Sequence, residues 1–412
     1  MTSYLLDWLN LLGRWVHLIT GIAWIGSSFY FVWLDNHLHK PTDPVLTGKG
    51  VGGELWSVHG GGFYNAQKYL VAPATLPTTL HWFYWEAYST FLSGMFLMCL
   101  LYYGQAEIYL VDPAVMALSK PVAILIAVGF LAGGWLVYDL LCRSALAKRP
   151  ARLAMTIFAL LAVAAWGLCQ LFSGRGAFIQ FGAMIGTIMV ANVFFVIIPG
   201  QREMVRAKQQ GREADPEPGR RGKLRSVHNT YFTLPVLFTM LSNHYAITFG
   251  SRWNWLVLIA MCTAGALIRA WFVARHHTAT HGGRTPAWTV VTGLLLLLGV
   301  MVALMPMPAE PRTAAAPAPV AGSADPVQQR FARIEQIVHQ RCAGCHAATP
   351  TQPGFAVAPK GLMLETPEQL LTHLAPVQLQ VASRAMPIGN LSGMTDDERS
   401  ELLDWIRDGA AR

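Results

Sequence analysis

The sequence predicts an all-α protein, in which a polytopic bundle of membrane helices is followed by a small soluble helical domain. The chain has 412 residues, of which 53% are hydrophobic and only 13% charged, whereas soluble domains carry about 25% charged residues. Apolar runs of about 20 residues, enough to cross about 30 Å of hydrocarbon, recur through the first three quarters of the chain. The composition then turns polar, and the apolar residues take helical spacing.

Eight apolar runs have the length of a membrane span. The third, fourth, seventh and eighth are strongly apolar, whereas the first, second and sixth also carry polar groups. The predicted spans are residues 11–34, 82–103, 121–140, 153–172, 177–198, 228–249, 253–273 and 287–305.

Basic residues in the connecting loops predict the orientation of the bundle. Loops 141–152 and 199–227 contain four and eight Lys or Arg residues, whereas loops 104–120, 173–176 and 250–252 contain one each. Basic loops stay in the cytoplasm, so both termini are expected outside. The net charge of +8 comes with Lys and Arg residues concentrated in short loops between apolar segments, which indicates membrane topology, so we do not expect a nucleic acid as partner.

Composition divides the chain into three parts. Residues 1–306 form the predicted membrane domain, residues 307–326 a linker rich in Pro and Ala, and residues 327–412 a soluble helical domain. A linker of this composition is flexible or semi-extended. In the last part, an amphipathic helix is predicted to begin after Thr395, whose side chain suits the N-cap position.

The sequence CAGCH, Cys342 to His346, is the attachment signature of a c-type haem. Two thiols on one helical turn can bond to the two vinyl groups of the haem, and the adjacent His346 can ligate the iron. A zinc site would need two further soft ligands, and residues 327–412 contain no third cysteine. A redox dithiol would need a βαβ context. We therefore predict one covalent haem c at Cys342, Cys345 and His346.

The second iron ligand is expected to be a methionine some tens of residues later. Met386 is preferred because Pro387 follows it and fixes a non-helical turn; Met363 and Met394 are the alternatives. With its two terminal helices, CAGCH and this Met-Pro loop, the domain resembles class I cytochrome c. Haem attachment of this type takes place outside the cytoplasm, in agreement with the predicted orientation.

Two histidines in the predicted spans are candidates for a second haem. His17 in the first span and His244 in the sixth each lie about 8–9 Å from the predicted outer end. Two imidazoles at one level on different helices could ligate a b-type haem. The alternative is that each histidine hydrogen-bonds a neighbouring helix or interfacial water.

The stretch GELWSVHGGGFYNAQK, residues 53–68, is polar, aromatic and rich in glycine, although it lies between apolar segments. The charge pattern places it on the cytoplasmic side, together with His81 and Glu86 at the start of the second span and Arg269 in the seventh. This set offers candidate bases, cations and flat aromatic faces. An interfacial aromatic belt is the alternative, but it does not explain three consecutive glycines, which suit close approach of a ligand or another helix.

Five segments of the N-terminal region are long and unusual: RWVHLITGIAWIGSSFYFVWLDN (14–36), GELWSVHGGGFYNAQKY (53–69), LHWFYWEAYSTFLSG (80–94), PGQREMV (199–205) and RSVHNTYFTLPVLFTMLSNHY (225–245). They resemble the membrane domain of bacterial membrane-bound urate oxidases that carry a fused cytochrome c. With the C-terminal domain, the resemblance extends over nearly the whole chain.

The resemblance implies oxidation of urate to 5-hydroxyisourate at the bacterial inner membrane. Electrons would pass to the haem c and on to a cytochrome c oxidase or a soluble cytochrome of the respiratory chain. Urate is a planar anion whose oxidation is assisted by a base, and we expect His59, His81 and Glu86 to supply it. The residues expected to bind urate, by stacking or by charge, are Trp56, Phe63, Tyr64, Lys68 and Arg269.

Three alternatives stay open. If the substrate enters from outside, Arg14, His17 and His244 would bind it. The protein could instead be a membrane cytochrome that oxidises quinol or another small molecule. It could also be a membrane-anchored electron-transfer protein, but one span suffices for an anchor, and buried polar groups in eight spans argue against that function.

Overall fold

The computed structural model describes residues 2–70, 72–213, 215–305, 326–352, 355, 358–382 and 384–411. These residues are mostly helical, as predicted, and one two-stranded antiparallel sheet interrupts the helices. The predicted linker, 307–326, lies outside the described residues except for Pro326, where the next helix begins.

Long helices of the N-terminal part follow the predicted spans, with short elements between them. In chain order the elements are α1 (Thr2–His37), α2 (Pro44–Gly48), β1 (Val51–His59), β2 (Gly62–Tyr69), α3 (Trp85–Leu97), α4 (Ala106–Tyr109), α5 (Lys120–Arg143), α6 (Pro150–Leu171), α7 (Gly174–Asn192), α8 (Ile198–Gln209), α9 (Pro216–Ser242), α10 (Ala246–Phe249), α11 (Asn254–His281) and α12 (Ala287–Ala303). π-helical turns extend α3 over Met98–Tyr103 and join α7 to α8 over Val193–Ile197.

Five helical segments of the described chain are long and apolar enough to cross a membrane. They are Trp8–His37, Lys120–Arg143, Pro150–Leu171, Gly174–Gln209 and Asn254–His281. α12 is apolar but shorter. The total of eight spans stays a prediction.

The sixth predicted span, 228–249, differs from the observed helix at both ends. α9 starts earlier because Asp215 caps its first turn and accepts a hydrogen bond from the backbone N–H of Glu217 at 2.9 Å. The helix ends before a turn at 243–245, which separates it from α10. His244 therefore lies in an exposed turn and not within a helix.

Residues 51–69 form a β-hairpin, which the predicted all-α fold does not contain. β1 and β2 pair antiparallel, and Gly60 and Gly61 form the turn between them. Their φ angles are +59° and +79°, which a tight hairpin turn requires and glycine adopts without strain. Among the described residues, no atom lies within 4 Å of a Cβ built on either glycine. The turn is therefore sufficient to explain these two glycines, and close approach of a ligand stays a prediction.

The hairpin is tied to the end of α1. Lys68 Nζ lies 2.8 Å from one carboxylate oxygen of Asp35, and Lys223 at the start of α9 lies 3.2 Å from the other. The hairpin, α1 and α9 therefore meet at one end of the bundle, which also carries the basic loops 141–152 and 199–227. We call it the basic end.

The loops with few basic residues meet at the opposite end, which we call the α4 end. Ser173 N–H donates to Leu110 O at 2.9 Å, and its hydroxyl donates to Tyr109 O at 3.0 Å. Asn254 Nδ2 donates to Phe249 O at 3.2 Å. The connections after α4 and α6 are thereby held together, and the connection after α10 lies beside them, since Phe249 O is in contact with the position of Gly174.

Buried polar groups pair between α5, α7 and α9. Arg225 Nη2 lies 2.6 Å from Asp139 Oδ1, with both residues buried, and the guanidinium lies 4.9 Å from the ring centroid of Tyr138. One helical turn later, Asn229 Oδ1 accepts a hydrogen bond from Asn192 at 2.8 Å. Polar groups inside an apolar bundle are costly unless paired, so these contacts fix how α9 is rotated against α5 and α7.

The C-terminal part has its own helical core. Its helices are α13 (Pro326–Arg341), α14 (Pro367–Thr372), α15 (Leu374–Ala382) and α16 (Asp396–Arg407). α13 packs on α16, with the ring centroids of Phe331 and Trp405 5.8 Å apart. As predicted, Thr395 caps α16, and its hydroxyl accepts a hydrogen bond from the N–H of Glu398 at 3.2 Å.

Glu398 makes the C-terminal part sensitive to acid. Burial opposes ionisation of its carboxyl group, but the hydrogen bonds and charge of Arg341, 3.0 Å away, outweigh burial and hold the pKa of Glu398 below its ordinary value of 4.5. Because the folded pKa is lowered, the carboxylate stabilises the fold above the unfolded pKa. That stabilisation is lost as the pH falls through the folded value.

Glu398→Gln is expected to lower the free energy of unfolding of α13 and α16 by about 1–3 kcal/mol at neutral pH, and the difference should shrink in acid. Glu401→Gln removes an exposed pair with Arg333 at 3.5 Å and should cost less than about 1 kcal/mol. Hydrogen–deuterium exchange of both helices in the full chain measures these changes. Unchanged exchange in Glu398→Gln at neutral pH would contradict the prediction.

Candidate functional site

A cavity of about 1060 Å³ opens at the basic end. It lies between α1, α8, α9, α11, the second hairpin strand and the connection 72–83. Cavities of about 300–1,000 Å³ commonly bind small molecules. The cavity therefore has room for a small planar ligand together with water.

One wall of the cavity is aromatic. Trp24 and Phe31 contribute from α1, and Trp82 and Phe83 from the connection before α3. Phe83 meets Phe31 edge to face, with ring centroids 4.8 Å apart, and meets the imidazole of His81 at 4.5 Å. Flat faces of this kind stack on planar ligands.

The charges on the cavity wall favour an anion. Lys68, Lys208 and Lys223 line it, and Asp35 is the acidic residue among the described lining residues. Three lysines against one aspartate leave a net charge of +2. Lys68 and Lys223 hold Asp35 between them, so part of their charge is already compensated. The remaining positive charge attracts anionic ligands.

Asn229 gives the cavity a neutral polar group with a fixed orientation. Its Nδ2 donates to Met189 O at 3.0 Å, and its Oδ1 accepts from Asn192 at 2.8 Å. The Oδ1 of Asn192 is buried and has no hydrogen-bond partner within the described residues. The side chain of Asn229 is therefore held by α7 while it lines the cavity.

Three histidines belong to the described cavity lining: His81 before α3, and His277 and His281 near the end of α11. The rings of His277 and His281 stack, with centroids 4.6 Å apart. The sequence pattern singled out His81 but not the other two, although RHHTATH places two imidazoles one helical turn apart. Imidazole is suited to accept a proton near neutral pH, so the cavity offers three candidate bases.

Four residues predicted for the site lie on the hairpin, away from the cavity lining. His59 is exposed beside the turn, and the exposed fractions of Trp56, Phe63 and Tyr64 are 65%, 80% and 56%. Strand β2 reaches the cavity only through residues 67–69, which include the predicted Lys68. The hairpin is joined to α1 at its base, so its tip extends away from the bundle.

Glu86 and Arg269 lie inside the bundle but do not line the cavity. One carboxylate oxygen of Glu86, in the first turn of α3, is buried without a partner among the described residues. Arg269 is buried in α11, with its guanidinium carbon 3.7 Å from the ring centroid of Phe29. Its Nε and Nη2 also lack hydrogen-bond partners within that part of the chain.

His17 and His244 have different surroundings. Nδ1 of His17 lies 3.1 Å from Thr90 O and 3.0 Å from Ser93 Oγ, both on α3. His244 is exposed in the turn after α9. The structure thus gives His17 the helix-to-helix hydrogen bond that was its alternative role, and ligation of a b-type haem by the two histidines stays a prediction.

The CAGCH residues form one helical turn after α13. The N–H of His346 donates to Cys342 O at 2.9 Å, and the N–H of Cys345 donates to the same oxygen at 3.1 Å. Nδ1 of His346 lies 2.8 Å from Leu362 O. A hydrogen bond to a carbonyl oxygen places the proton on Nδ1 and leaves the Nε2 lone pair free for a metal.

The described residues offer the two cysteines no further zinc ligands. Burial raises the pKa of Cys342 to about 12 and also raises the pKa of Cys345, so both are neutral thiols near pH 7. In the described part of the chain, no group of three or more His, Cys, Asp or Glu residues could hold a metal ion. The zinc alternative therefore finds no ligand set there.

Of the three candidate methionines, Met386 is half-buried, Met394 is packed in the C-terminal core, and Met363 is exposed. Arg399 Nη1 donates to Met386 O at 2.7 Å and so holds the loop. Nε of Arg399 is buried and has no hydrogen-bond partner among the described atoms. A positive group with a free donor therefore lies beside Met386.

Comparison of the sequence with protein families gives a match in the N-terminal part. The family model described as Urate oxidase N-terminal matches residues 3–305, which contain the whole cavity lining. No curated protein and no solved structure gives a significant match. Because the matched range covers well over half of the sequence, the chain belongs to the urate oxidase family that this model describes.

Proposed function

We propose that the protein oxidises urate to 5-hydroxyisourate and passes the two electrons to a haem c held by its own C-terminal part. The family match over residues 3–305 carries the proposal. The cavity at the basic end supports a planar anionic substrate, since lysines and an aromatic wall line it. The CAGCH turn supports an electron acceptor within the same chain.

The reaction balances with water as the source of oxygen. Urate and one water give 5-hydroxyisourate, two electrons and two protons, and the new C–O bond forms at carbon 5 of the purine. Urate is an anion at neutral pH, and loss of a further proton raises the electron density of its rings. A base therefore assists the removal of electrons.

Binding of urate in the cavity would use charge, stacking and a fixed amide. Lys68 and Lys223 attract the anion, in competition with Asp35. The indole of Trp82 offers a stacking face, and Asn229 offers hydrogen-bonding atoms to the polar edge of the purine. These binding residues come from three segments of the chain, so urate would hold the three together.

His81 is the proposed base. It lines the cavity and contacts the aromatic wall through Phe83, so a stacked purine would lie beside its imidazole. His59 is exposed near the hairpin tip, and Glu86 lies outside the cavity lining. His81 would accept a proton from urate or from the water that adds to the oxidised ring.

The C-terminal part has the residues that a c-type haem needs. Cys342 and Cys345 would hold it through thioether bonds, and Nε2 of His346 and the sulfur of Met386 would ligate the iron. The hydrogen bond of His346 Nδ1 fits this role, and the unpaired Nε of Arg399 fits a propionate. The group accepts one electron at a time, so the cavity must retain the half-oxidised purine between two transfers.

The cavity and the α4 end are separated by the length of the bundle. α11 has 28 residues, and a helix of that length extends about 42 Å. In the proposed inner-membrane orientation, the cavity faces the cytoplasm and the C-terminal part faces outside. An electron relay is then needed between them, for which a b-type haem at His17 and His244 is the proposed candidate. Urate binding near Arg14, at the outer end, is the alternative.

Urate is expected to reduce the c-type haem of the purified full-length protein under anaerobic conditions. With a one-electron acceptor added to reoxidise the haem, two acceptor molecules should be reduced per urate because two electrons are released. The α-band of the reduced haem and the appearance of 5-hydroxyisourate measure the reaction. Cys345→Ala should lose covalent haem and the response, whereas Cys99→Ala, at an exposed cysteine outside the motif, should keep both. Reduction by a quinol but not by urate would overturn the proposal.

His81→Gln is expected to lower kcat for urate by about 10²–10⁴-fold, the usual contribution of a general base. His59→Gln is the matched control and should leave kcat nearly unchanged, because that side chain is exposed near the hairpin tip. Steady-state oxidation of urate with an artificial electron acceptor measures both. A comparable loss in the two variants would show that the cavity does not contain the base.

Lys223→Gln is expected to raise KM for urate by about tenfold, since a charge-assisted hydrogen bond contributes about 1.5–3 kcal/mol. Lys49→Gln removes an exposed lysine outside the cavity lining and should leave KM unchanged. Initial rates at low and high salt check the electrostatic cause, because salt should reduce the difference between Lys223→Gln and the native chain. Equal KM values in the native chain and Lys223→Gln would remove this residue from the site.

A further inference from the structure

Gly389 packs against the N-terminal bundle more closely than any side chain would allow. A Cβ on Gly389 would lie 2.8 Å from the carbonyl oxygen of Ile108 and 3.2 Å from that of Val111. Its φ of +55° is a conformation that asparagine also tolerates. Space, more than backbone conformation, therefore requires glycine at this point, where the C-terminal part touches the end of α4.

The surface that receives this glycine is rigid. We call residues 106–112 the α4 platform. Ala106 and Leu110 are fully buried, and Ser173 at the start of α7 hydrogen-bonds the carbonyl oxygens of Tyr109 and Leu110, at 3.0 and 2.9 Å. The platform is thereby fixed to the helix at the centre of the bundle.

Groups of opposite charge lie near the contact, on the bundle and on the C-terminal part. Burial lowers the pKa of Arg399 overall, while the carboxylates of Asp396 and of Asp112, the last residue of the platform, act in the opposite direction. Arg399 in turn donates a hydrogen bond to Met386 O at 2.7 Å. The charge of Asp112 is opposite in sign to that of Arg399, which holds the methionine loop, and attraction between charges of opposite sign favours one docking orientation.

The contact lies close to the proposed iron ligand. Met386 and Gly389 are three residues apart, so their Cα atoms are at most about 11 Å apart. On the bundle side, the ring of Tyr109 lies 5.9 Å from that of Tyr102, centroid to centroid. Tyr102 exchanges hydrogen bonds with Asn243 at the α4 end. The rate of electron transfer falls steeply with distance. The rings of Tyr109 and Tyr102 lie close to the Gly389 contact and extend from it into the bundle.

We propose that the α4 platform is the docking site at which the C-terminal part receives electrons from the bundle, with loop 386–390 as the contacting surface. The inference rests on the urate oxidation and the haem c proposed above. In the docked arrangement, Cys342, Cys345, His346 and Met386 would hold the haem close to the platform, and each docked encounter would deliver one electron to it. Oxidation of one urate therefore takes two transfers, and the external acceptor removes one electron between them.

Gly389→Asn tests the docking contact, with Gly361→Asn as the matched control. Gly361 has a φ of +67°, and within the described residues no atom lies within 4 Å of a Cβ built on it. In the full-length holoprotein, Gly389→Asn is expected to slow haem reduction by urate by about tenfold and to increase hydrogen exchange in residues 106–112 and 386–391. Reduction by dithionite, and every rate in Gly361→Asn, should match the native chain.

If Gly389→Asn fails to take up haem, Asp112→Asn tests the docking site by a substitution in the bundle. It should slow urate-driven reduction several-fold and weaken its salt dependence. Asp43→Asn is its control. Asp43 accepts a hydrogen bond from the backbone N–H of Val45 at 2.8 Å and lies at the basic end, far from the docking site. Native rates and native hydrogen exchange in the variants of Gly389 and Asp112 would overturn the docking site. Absence of haem reduction by urate in the native chain would instead overturn the proposed function.

Discussion

The buried ion pair between Arg225 and Asp139 is the contact on which the geometry of the basic end depends. An unpaired charge inside an apolar bundle would cost about 3–5 kcal/mol, so α9 can take only the rotation that brings the two groups to 2.6 Å. That rotation also turns Lys223 and Asn229, two residues before and four residues after the arginine, toward the cavity. The positive charge and the amide of the cavity wall thus follow from a pairing that contacts no ligand.

The helices were predictable because their signal is local. The predicted spans 121–140 and 153–172 correspond to the helices Lys120–Arg143 and Pro150–Leu171. The length of an apolar run can be measured in the sequence without knowing which helices pack against it. The all-α prediction does not include the hairpin, because it interprets the three glycines as space for a ligand or another helix, although Gly-Gly between two strand-forming runs is a hairpin signal. The sixth helix ended early at a turn that hydropathy cannot detect, which removed His244 from the helix.

The two sites differ in how far sequence could define them. CAGCH brings Cys342 and His346 together within one turn, so spacing alone suffices. The cavity combines segments more than 250 residues apart, from Trp24 to His281. The charge pattern could only indicate the end of the bundle where the cavity lies. Which side chains face it is decided by tertiary structure: Lys68 faces the cavity and Trp56 does not, because the hairpin is fastened at its base and free at its tip.

The separation of the cavity from the α4 platform also has an energetic consequence. With the bundle in a membrane as proposed, each electron from urate would travel outward while the protons it leaves behind stay on the inner side. A membrane potential that is negative inside would favour this movement by about 2.3 kcal/mol per electron for each 100 mV. Urate oxidation would then draw part of its driving force from the potential and would dissipate it in proportion to turnover.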